Sequence, residues 1–477
     1  MRKLAAFILA ACMLFALTAC GGDGGKTAGK GEFLGLQDGE EFTTDKEISL
    51  KFTRPKGNAA QESWWDEAIA AFNTAYAGRI KVTEDVRQRA ANNTYESQIG
   101  SLNKAKKMPD VLYMDGPYVS NWAYNGMIIP LDNYLTQTYL ADFMDYVIDQ
   151  GTYNDRLYTL SIVDSAIMVF YRKEIMNGFL NRTPKPKYKV GKRKNQTIAL
   201  PASVEDAWTF DELADIAEQM RADLGGGKTQ YGLSISGDKT EWMSYAFTPM
   251  WGGDMLGEDT LTAAGNINSA KGYAAANYLR DLVSKKCINP DAADTDFYSD
   301  AAAGTAIKAS MYLTGTQNIT QFNQSEQVAE DWSATYYPRL DGQDYAVPCG
   351  GWTLALTAAC PENKRVAAAE FIKYLTSSAS CEKFARDTAS PPARKSLYAS
   401  MDEYKDGSTV QDGAYVKMKQ QLAYAQPRTK TIAYAIFSAQ LSAALNDVVS
   451  QNDIVVRTRL DSAVSAIDDK IRTDYRK

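Results

Sequence analysis

The stretch Pro109-Asp110-Val111-Leu112-Tyr113-Met114 is an apolar, β-branched run, and the residues after it, Asp115-Gly116-Pro117, form a turn signal. Further upstream, Ile48-Ser49-Leu50-Lys51-Phe52 alternates apolar and polar residues as a half-buried strand does. A third strand begins at Ile80-Lys81-Val82. The first hundred or so residues after the N-terminal segment therefore contain three predicted strands in succession.

Helices are predicted between these strands. Apolar side chains recur at helical spacing from Trp65 to Tyr76, and Tyr95, Ile99 and Leu102 mark the next helix. Strands that alternate with helices predict an α/β fold with a mostly parallel sheet covered on both faces. Ligands of such sheets bind beyond the carboxyl ends of the strands, so we expect residues 115–122 at a ligand-facing edge.

The remaining chain continues this pattern. The apolar run from Leu157 to Tyr171 predicts one long strand that crosses between lobes. Residues 181–200 contain seven basic and no acidic residues, and they predict a protruding loop or hairpin, read as a solvated insertion in preference to a docking patch. The C-terminal segment predicts two helices broken near Gln451-Asn452-Asp453. Further helices are predicted at 210–223, 268–285 and 366–375, and further strands at 231–235, 307–313 and 350–356.

The N-terminus has the features of a secretory signal: Arg2 and Lys3, then an apolar run of 14 residues from Leu4 to Leu17. That run is shorter than the roughly 20 residues that span a bilayer. The ending Leu17-Thr18-Ala19-Cys20 resembles a bacterial lipoprotein signal, which implies cleavage after residue 19 and a lipid on Cys20. The alternative is an ordinary secretory peptide with a chance cysteine. Residues 20–45 are predicted to be a flexible tether, because this segment is rich in Gly, Thr, Lys and Glu.

Composition excludes several classes of function. With 52 basic and 58 acidic residues the net charge is −6, which argues against nucleic-acid binding. The chain contains no histidine, so Ser-His-Asp and Cys-His mechanisms are excluded and the commonest zinc ligand is missing. No pair among the later cysteines has CxxC spacing, so we expect them to be buried apolar residues: Cys287, Cys349, Cys360 and Cys381. A disulfide between Cys360 and Cys381 is the alternative. We predict no cofactor and no metal site, because no phosphate-binding or calcium-binding spacing occurs.

The order of these elements resembles the extracellular solute-binding proteins of bacterial ABC importers, in the group that binds oligosaccharides. The resemblance covers roughly residues 46–475. The stretches that show it are Pro109-Asp110-Val111, Gly126-Met127-Ile128-Ile129-Pro130-Leu131, Leu157-Tyr158-Thr159-Leu160, Phe170-Tyr171-Arg172-Lys173-Glu174, Trp208 with Asp211-Glu212-Leu213, Gly350-Gly351-Trp352 and residues 368–377.

The resemblance implies a two-lobe, periplasmic-binding-protein-like fold whose ligand lies in a cleft between lobes joined by hinge strands. Lobe one would comprise 46–164 and 349–400, and lobe two 165–345 and 401–477. The protein would work as a monomer on the extracytoplasmic face of the membrane and would deliver its solute to the permease subunits of an ABC transporter. The maltose-binding type has an acidic–basic pair after the third strand, where this chain has Gly116-Pro117-Tyr118, so a maltose-like specificity is not expected.

A carbohydrate site needs fixed hydrogen-bonding groups and flat aromatic platforms. Trp352 is the strongest candidate platform, Arg428 could contact paired hydroxyls, and Trp64 is expected to face solvent or the cleft because its neighbour Trp65 belongs to the core. The alternatives are structural: a helix cap for Asp115, an interdomain hydrogen bond for Asp164, and packing for the aromatic residues. The candidate ligand contacts are Trp64, Asp115, Tyr118, Asp164, Trp242, Trp251, Thr316, Gln317, Gly351, Trp352 and Arg428.

The sequence therefore favours a lipid-anchored, non-enzymatic receptor for a carbohydrate, expected to be an oligosaccharide. Two alternatives stay open. One is a cell-surface glycosidase, which needs a pair of carboxylates. The other is a receptor for a peptide or an acidic solute, for which Arg394 and Arg428 would be the binding groups.

Overall fold

Two five-stranded sheets organise the part of the chain that the computed structural model describes, which comprises residues 32–89, 94–225, 228–235, 254–289, 297, 309–325, 328–405 and 410–475. All of these residues belong to one unit, Glu32–Lys477. The first sheet contains β1 (Ile48–Pro55), β2 (Ile80–Arg87), β3 (Val111–Asp115), β6 (Thr159–Ser161) and β13 (Trp352–Leu356). The second contains β7 (Ile167–Arg172), β8 (Ala222–Gly225), β9 (Lys228–Ile235), β10 (Ala309–Gly315) and β11 (Trp332–Thr335).

The first sheet has the strand order β2-β1-β3-β13-β6. The strand β1 runs parallel to β2 and β3, as the alternation of strands and helices predicts, whereas β13 is antiparallel to β3 and β6. The helices of this part are α1 (Ala59–Ala75), α2 (Tyr95–Lys104), α3 (Val119–Tyr124), α4 (Gln137–Leu140), α5 (Asp145–Gln150), α10 (Glu362–Leu375) and α11 (Ser378–Thr388).

Helix α1 shows why these segments fold as they do. The Asn58 side chain accepts from the Gln61 amide, and the Gln61 side-chain oxygen accepts from the Asn58 amide, which completes a capping box at the N-terminus. Phe72 then packs its ring against Phe371 of α10 at 4.9 Å. The predicted apolar face from Trp65 to Phe72 is thereby confirmed as the face that covers the sheet.

The second sheet has the order β11-β7-β10-β9-β8, with β10 parallel to β9 and antiparallel to β7. Its helices and the C-terminal helices are α6 (Lys173–Leu180), α7 (Phe210–Met220), α8 (Ala270–Ser284), α9 (Ile319–Gln324), α12 (Leu397–Ser400), α13 (Val410–Leu422), α14 (Tyr434–Ser450) and α15 (Val456–Tyr475). The break between α14 and α15 lies at the predicted place. Two short pairs, β4 (Thr152–Tyr153) with β5 (Arg156–Leu157) and β12 (Val347–Pro348) with β14 (Ala425–Gln426), complete the strands.

The prediction of one long strand from Leu157 to Tyr171 is wrong. Strand β6 ends at Ser161 in the first sheet, and β7 begins at Ile167 in the second. Each strand pairs with different neighbours, so the backbone leaves one ladder of hydrogen bonds before it enters the other. Between them Val163 bridges Pro392 and Ala166 bridges Cys349, so residues 162–166 form a crossing segment that runs beside residues 349–351.

Three further expectations can be compared with the structure. Residues 181–200 form a hairpin-like loop with a bridge between Lys187 and Thr197, as predicted. The four described cysteines are buried and free, so Cys360 and Cys381 do not form a disulfide. Residues 32–45, which the composition assigns to the tether, contain no helix or strand, yet Phe42 is buried in the core and the Leu34 amide donates to the Asn133 carbonyl at 2.7 Å. None of the helices among the described residues has the length and apolarity needed to cross a bilayer.

Candidate ligand-binding site at the edge of the first sheet

The turn after β3 joins the first sheet to the C-terminal part of the chain. Strand β3 ends at Asp115, a single 3-10 turn follows at Gly116–Tyr118, and α3 begins at Val119. The Asp115 carboxylate pairs with the Arg428 guanidinium, and the two side chains are 19% and 9% exposed. Arg428 also donates to the Tyr434 hydroxyl at 3.1 Å. An ion pair as enclosed as this fixes both charged groups in position, because leaving either one unpaired would be costly.

Aromatic rings stand beside this ion pair. In the β3–β13 ladder Trp352 lies directly opposite Asp115. The half-buried Trp352 ring lies 5.6 Å from Tyr95 and 5.6 Å from Tyr113, and the Arg89 guanidinium lies 4.9 Å from its centre. Trp352 is therefore held by packing and by a cation–π contact, which is the arrangement of a rigid platform.

Tyr118 forms a second aromatic contact at the same edge. Its half-buried ring lies edge-on to Tyr434 at 5.0 Å, and it also contacts Trp122 at 5.7 Å. Next to it, the Asn121 amide donates to the Ile432 carbonyl and to the Tyr475 hydroxyl, the latter at 3.1 Å. The turn after β3 and α3 is thus fastened to residues 428–434 and to the end of α15.

The crossing segments bring Asp164 and Gly351 close to the same turn. The Gly116 amide donates to the Gly351 carbonyl at 3.0 Å, and the Gln150 side-chain amide donates to the same carbonyl at 3.3 Å. A Cβ atom on Gly351 would lie 3.2 Å from the Asp164 Cα, so glycine permits the close approach of the two segments. A small recess beside them is lined by Gly116, Ser120, Gln150, Pro427, Arg428 and Lys430, among others.

Asp164 is a buried carboxyl group in this crossing. It is 2% exposed, its Oδ1 accepts from the Ser165 amide at 2.6 Å, and its Oδ2 has no hydrogen-bond partner among the described residues. Burial raises its pKa to about 7, an effect opposed by hydrogen bonds from the Ser165 and Gly350 amides and by the charge of Arg428, and reinforced by Asp115. A group with this pKa changes its charge near neutral pH.

The predicted pair Thr316 and Gln317 follows β10 in the second sheet. Thr316 is buried and exchanges two hydrogen bonds with Ala166: its amide donates to the Ala166 carbonyl at 3.0 Å, and its hydroxyl accepts from the Ala166 amide at 3.3 Å. Gln317 is exposed. The Thr316 side chain therefore binds the crossing segment, and the Gln317 side chain is exposed to solvent.

Other predicted residues lie elsewhere. The expectation that Trp64 faces solvent or the cleft is wrong: it is 1% exposed, with its ring 4.9 Å from Trp65 and 4.7 Å from Phe384, because α11 covers this side of α1. Arg394 is buried, pairs with Asp142 at 3.0 Å and donates to the Thr376 carbonyl, so it is a structural cation. Trp242, Trp251 and Cys20 lie outside the described residues.

The structure adds residues that sequence reasoning missed. The Arg89 guanidinium lies over the Trp352 ring, and the Gln150 side-chain amide donates a hydrogen bond to the Gly351 carbonyl. Glu96 is half-buried near Asp115 and Arg89, and burial raises its pKa, with the charge of Asp115 as a further cause. Glu96 lies in the first turn of α2, where an acidic residue is an ordinary partner of the helix dipole. No local pattern in the sequence could distinguish that role from a place at the site.

The site thus combines fixed charges, amide groups and aromatic faces. Among the described residues no three side chains of His, Cys, Asp or Glu gather as a metal site would require. Asp115 is neutralised by Arg428, and Asp164 is enclosed. Fixed hydrogen-bonding groups beside aromatic faces are the features that a site for a polar organic molecule requires.

Solved structures share this fold over most of their length. An ABC transporter solute-binding protein from Thermotoga lettingae, bound with α-D-tagatose, is 20% identical, with 89% of this chain and 100% of that chain covered and a TM-score of 0.68. The maltose/maltodextrin-binding domain from Bdellovibrio bacteriovorus, bound to maltotriose, is 17% identical at the same coverage and TM-score. The GacH receptor of Streptomyces glaucescens, solved unliganded and with acarbose, is 18% identical, with 90% and 98% covered and a TM-score of 0.65.

These neighbours have the two-lobe architecture of periplasmic binding proteins, which confirms the predicted fold class. A family model described as bacterial extracellular solute-binding protein matches residues 67–412, well over half of the chain. The matched range includes every strand of the two sheets except β1, together with the crossing segments between them. The chain therefore belongs to the family of bacterial extracellular solute-binding proteins.

Proposed function

We propose that this protein captures a carbohydrate, in particular an oligosaccharide, between two lobes and delivers it to an ABC permease. The observation that carries the proposal is the edge where Trp352, Asp115 and Arg428 stand together beside the crossing segments. Flat rings suit the C–H faces of a sugar, and fixed charged groups suit its hydroxyls. The saccharide ligands named for the structural neighbours support the same class of ligand.

Each of the two proposed lobes would contain one of the two five-stranded sheets. Lobe one would comprise 46–164 and 349–400, and lobe two 165–345 and 401–477. The contacts between residues 162–166 and 349–351 support a hinge there, since the Gly350 amide donates to the Ser165 carbonyl at 3.1 Å and the Ser165 hydroxyl donates back to the Gly350 carbonyl at 2.6 Å. Closure around a ligand would then bend the backbone at these few residues.

The proposal places the protein on the extracytoplasmic face of the membrane, held by a lipid on Cys20 after removal of residues 1–19. The lipoprotein-like ending at Cys20 supports this. Metabolic labelling with a fatty acid should label the unaltered protein and leave a Cys20→Ser variant unlabelled. Absence of the label from the unaltered protein would remove the anchor from the proposal.

The functional alternatives receive no support from these contacts. A glycosidase needs two carboxyl groups that flank the scissile bond, whereas Asp115 is paired and Asp164 is buried. A receptor for an acidic solute would use Arg394 and Arg428, but both arginines already have carboxylate partners. We therefore propose a binding role without catalysis, by a protein that acts as a monomer.

Calorimetric titration of the mature protein with a broad panel of neutral saccharides tests the proposal, and the panel includes tagatose and maltotriose because structural neighbours bind them. We expect saturable binding of at least one of them and a loss of about tenfold or more in affinity for Trp352→Ala. Tyr124→Ala is the matched control, because Tyr124 is 52% exposed and its substitution should leave the affinity unchanged. A folded protein that binds no member of a wider glycan panel would contradict the proposal.

A further inference from the structure

The segment 181–200, called here the basic hairpin, presents a row of lysines on one side. Lys185, Lys187 and Lys189 are exposed, while the residues between them, Pro186 and Tyr188, are buried. This alternation is that of an extended chain, in which every second side chain points the same way. The three lysines are therefore spaced about 7 Å apart along one edge.

The basic hairpin is held firmly against α7. Tyr188 and Ile198 are 3% and 2% exposed. The Lys189 amide donates to the Asp215 carboxylate at 2.7 Å, and Arg193 donates to Glu212 at 2.8 Å. Anchored in this way, the exposed row of lysines is a preformed surface, whose ordering costs little when a partner binds.

Most of the positive charge of the basic hairpin has no acidic partner. Arg193 is paired with Glu212, and Lys192 approaches Asp341 at 3.5 Å. The other five cations form no ion pair within the ranges that the structure describes: Arg182, Lys185, Lys187, Lys189 and Lys194. This surplus lies on a chain whose net charge is −6, so it is a local concentration of charge.

These five cations line one groove. Its apolar part comes from Phe179, Pro184 and Tyr188, and the Arg182 guanidinium lies 5.1 Å from the centre of the Phe179 ring. Lys185 donates only to neutral groups, the Leu180 carbonyl at 3.0 Å and the Asn181 side chain at 2.9 Å. None of the groove residues lines the recess beside Arg428, so the groove is a second surface, distinct from the candidate saccharide site.

We propose that the basic hairpin binds the headgroups of anionic phospholipids and so fixes one side of lobe two on the membrane surface. A rigid row of lysines can contact several phosphates of a flat, laterally mobile layer at once. Each basic residue near an anionic surface strengthens binding about fivefold. The family is extracellular, so the membrane surface within reach of the basic hairpin is the outer one. The proposed lipid on Cys20 would hold the basic hairpin near the membrane, which raises its effective concentration at the headgroups.

The test uses the chain from Gly21 onward, which lacks the lipid attachment site, and vesicles of phosphatidylcholine with or without phosphatidylglycerol. We expect cosedimentation with the phosphatidylglycerol vesicles alone, weakened by salt because the contacts are electrostatic. Lys185→Gln, Lys187→Gln and Lys189→Gln together should lower the vesicle affinity on the order of a hundredfold. The matched control replaces Lys81, Lys104 and Lys107, three exposed lysines of the first-sheet region, with glutamine, and it should bind vesicles like the unaltered chain.

Retained saccharide binding and an unchanged melting temperature in both triple variants show that the effect is not a failure to fold. Equal loss of vesicle binding in the two triple variants would overturn the proposal, since total charge would then be the cause. Binding to soluble polyphosphate without binding to vesicles would also overturn it and would assign the groove to a soluble polyanion. Failure of saccharide binding alone would leave the vesicle result intact, so the two proposals are tested separately.

Discussion

The turn after β3 and the turn after β10 have the same backbone plan but different side chains. In each, a strand runs into one 3-10 turn, at Gly116–Tyr118 and at Thr316–Asn318, and then into a six-residue helix. The first amide of each turn donates to a crossing segment at 3.0 Å, from Gly116 to the Gly351 carbonyl and from Thr316 to the Ala166 carbonyl.

The side chains at the two turns make different contacts. The β3 turn presents Asp115, whose charge is held by Arg428, and the half-buried Tyr118. The β10 turn buries Thr316 against the crossing segment. One turn therefore supplies a charged and aromatic edge, and the other attaches residues 162–166 to the second sheet. A shared backbone unit does not imply a shared role.

The largest expected effect is at Asp164, in the crossing segment to which the β10 turn is attached through Ala166. Because burial raises its pKa to about 7, folding favours the neutral form, and its contribution to the free energy of unfolding is full below about pH 4 and is lost as the pH rises through 7. Asp164→Asn stays neutral throughout. Relative to this variant, the unaltered protein should lose about 4 kcal/mol of stability between pH 4 and pH 8 in urea unfolding. Parallel stability curves for the two proteins would contradict the assignment.

The next effect concerns the β3 turn. Asp115→Asn leaves the enclosed Arg428 without its carboxylate, so we expect the free energy of unfolding to fall by about 2 kcal/mol and saccharide affinity to fall with it. A double-mutant cycle with Arg428→Met measures the coupling of the pair. Independent, additive effects of the two substitutions would show that the ion pair does not organise this edge.

The β10 turn should respond differently. Thr316→Val preserves the shape of the side chain but removes the acceptor for the Ala166 amide, which should cost about 1 to 2 kcal/mol in stability. Saccharide affinity should stay within a factor of about two, since the buried hydroxyl is used by the crossing segment. A large loss of saccharide affinity without a loss of stability would show that Thr316 contacts the ligand. The two turns would then not differ in role.

The smallest effect is expected at Gln317. Its side chain is exposed, so Gln317→Ala should change the free energy of unfolding by less than about 0.5 kcal/mol. A ligand contact would show only in the titration, as a weaker affinity at unchanged stability. An unchanged affinity would leave the β10 turn with a purely structural part in the hinge.

The fold could be predicted because its signals are local and repeated. Alternation in residues 48–52 and helical spacing from Trp65 to Phe72 each reflect a face that must be buried, and both elements occur where they are predicted. The crossing between the sheets is harder to predict from the sequence. Nothing in the apolar run from Leu157 to Tyr171 shows that its first half pairs in one sheet and its second half in the other. Pairing partners come from distant parts of the chain.

The site was less predictable for the same reason. The strand end identified Asp115, but its partner Arg428 lies 313 residues further along the chain. Trp64 was misplaced because helical spacing identifies one buried face, whereas α11 covers a second face of α1. Contacts of this kind depend on tertiary packing, which a single sequence does not display.

The central claim is that the edge formed by the β3 turn, Trp352 and Arg428 holds a saccharide between the two sheets. A crystal structure of the mature protein with a saccharide selected by titration tests it most directly. We expect one ordered sugar ring on Trp352, with hydroxyls within hydrogen-bond distance of Asp115 or Arg428. A saccharide bound at another surface, with this edge unchanged and unoccupied, would contradict it.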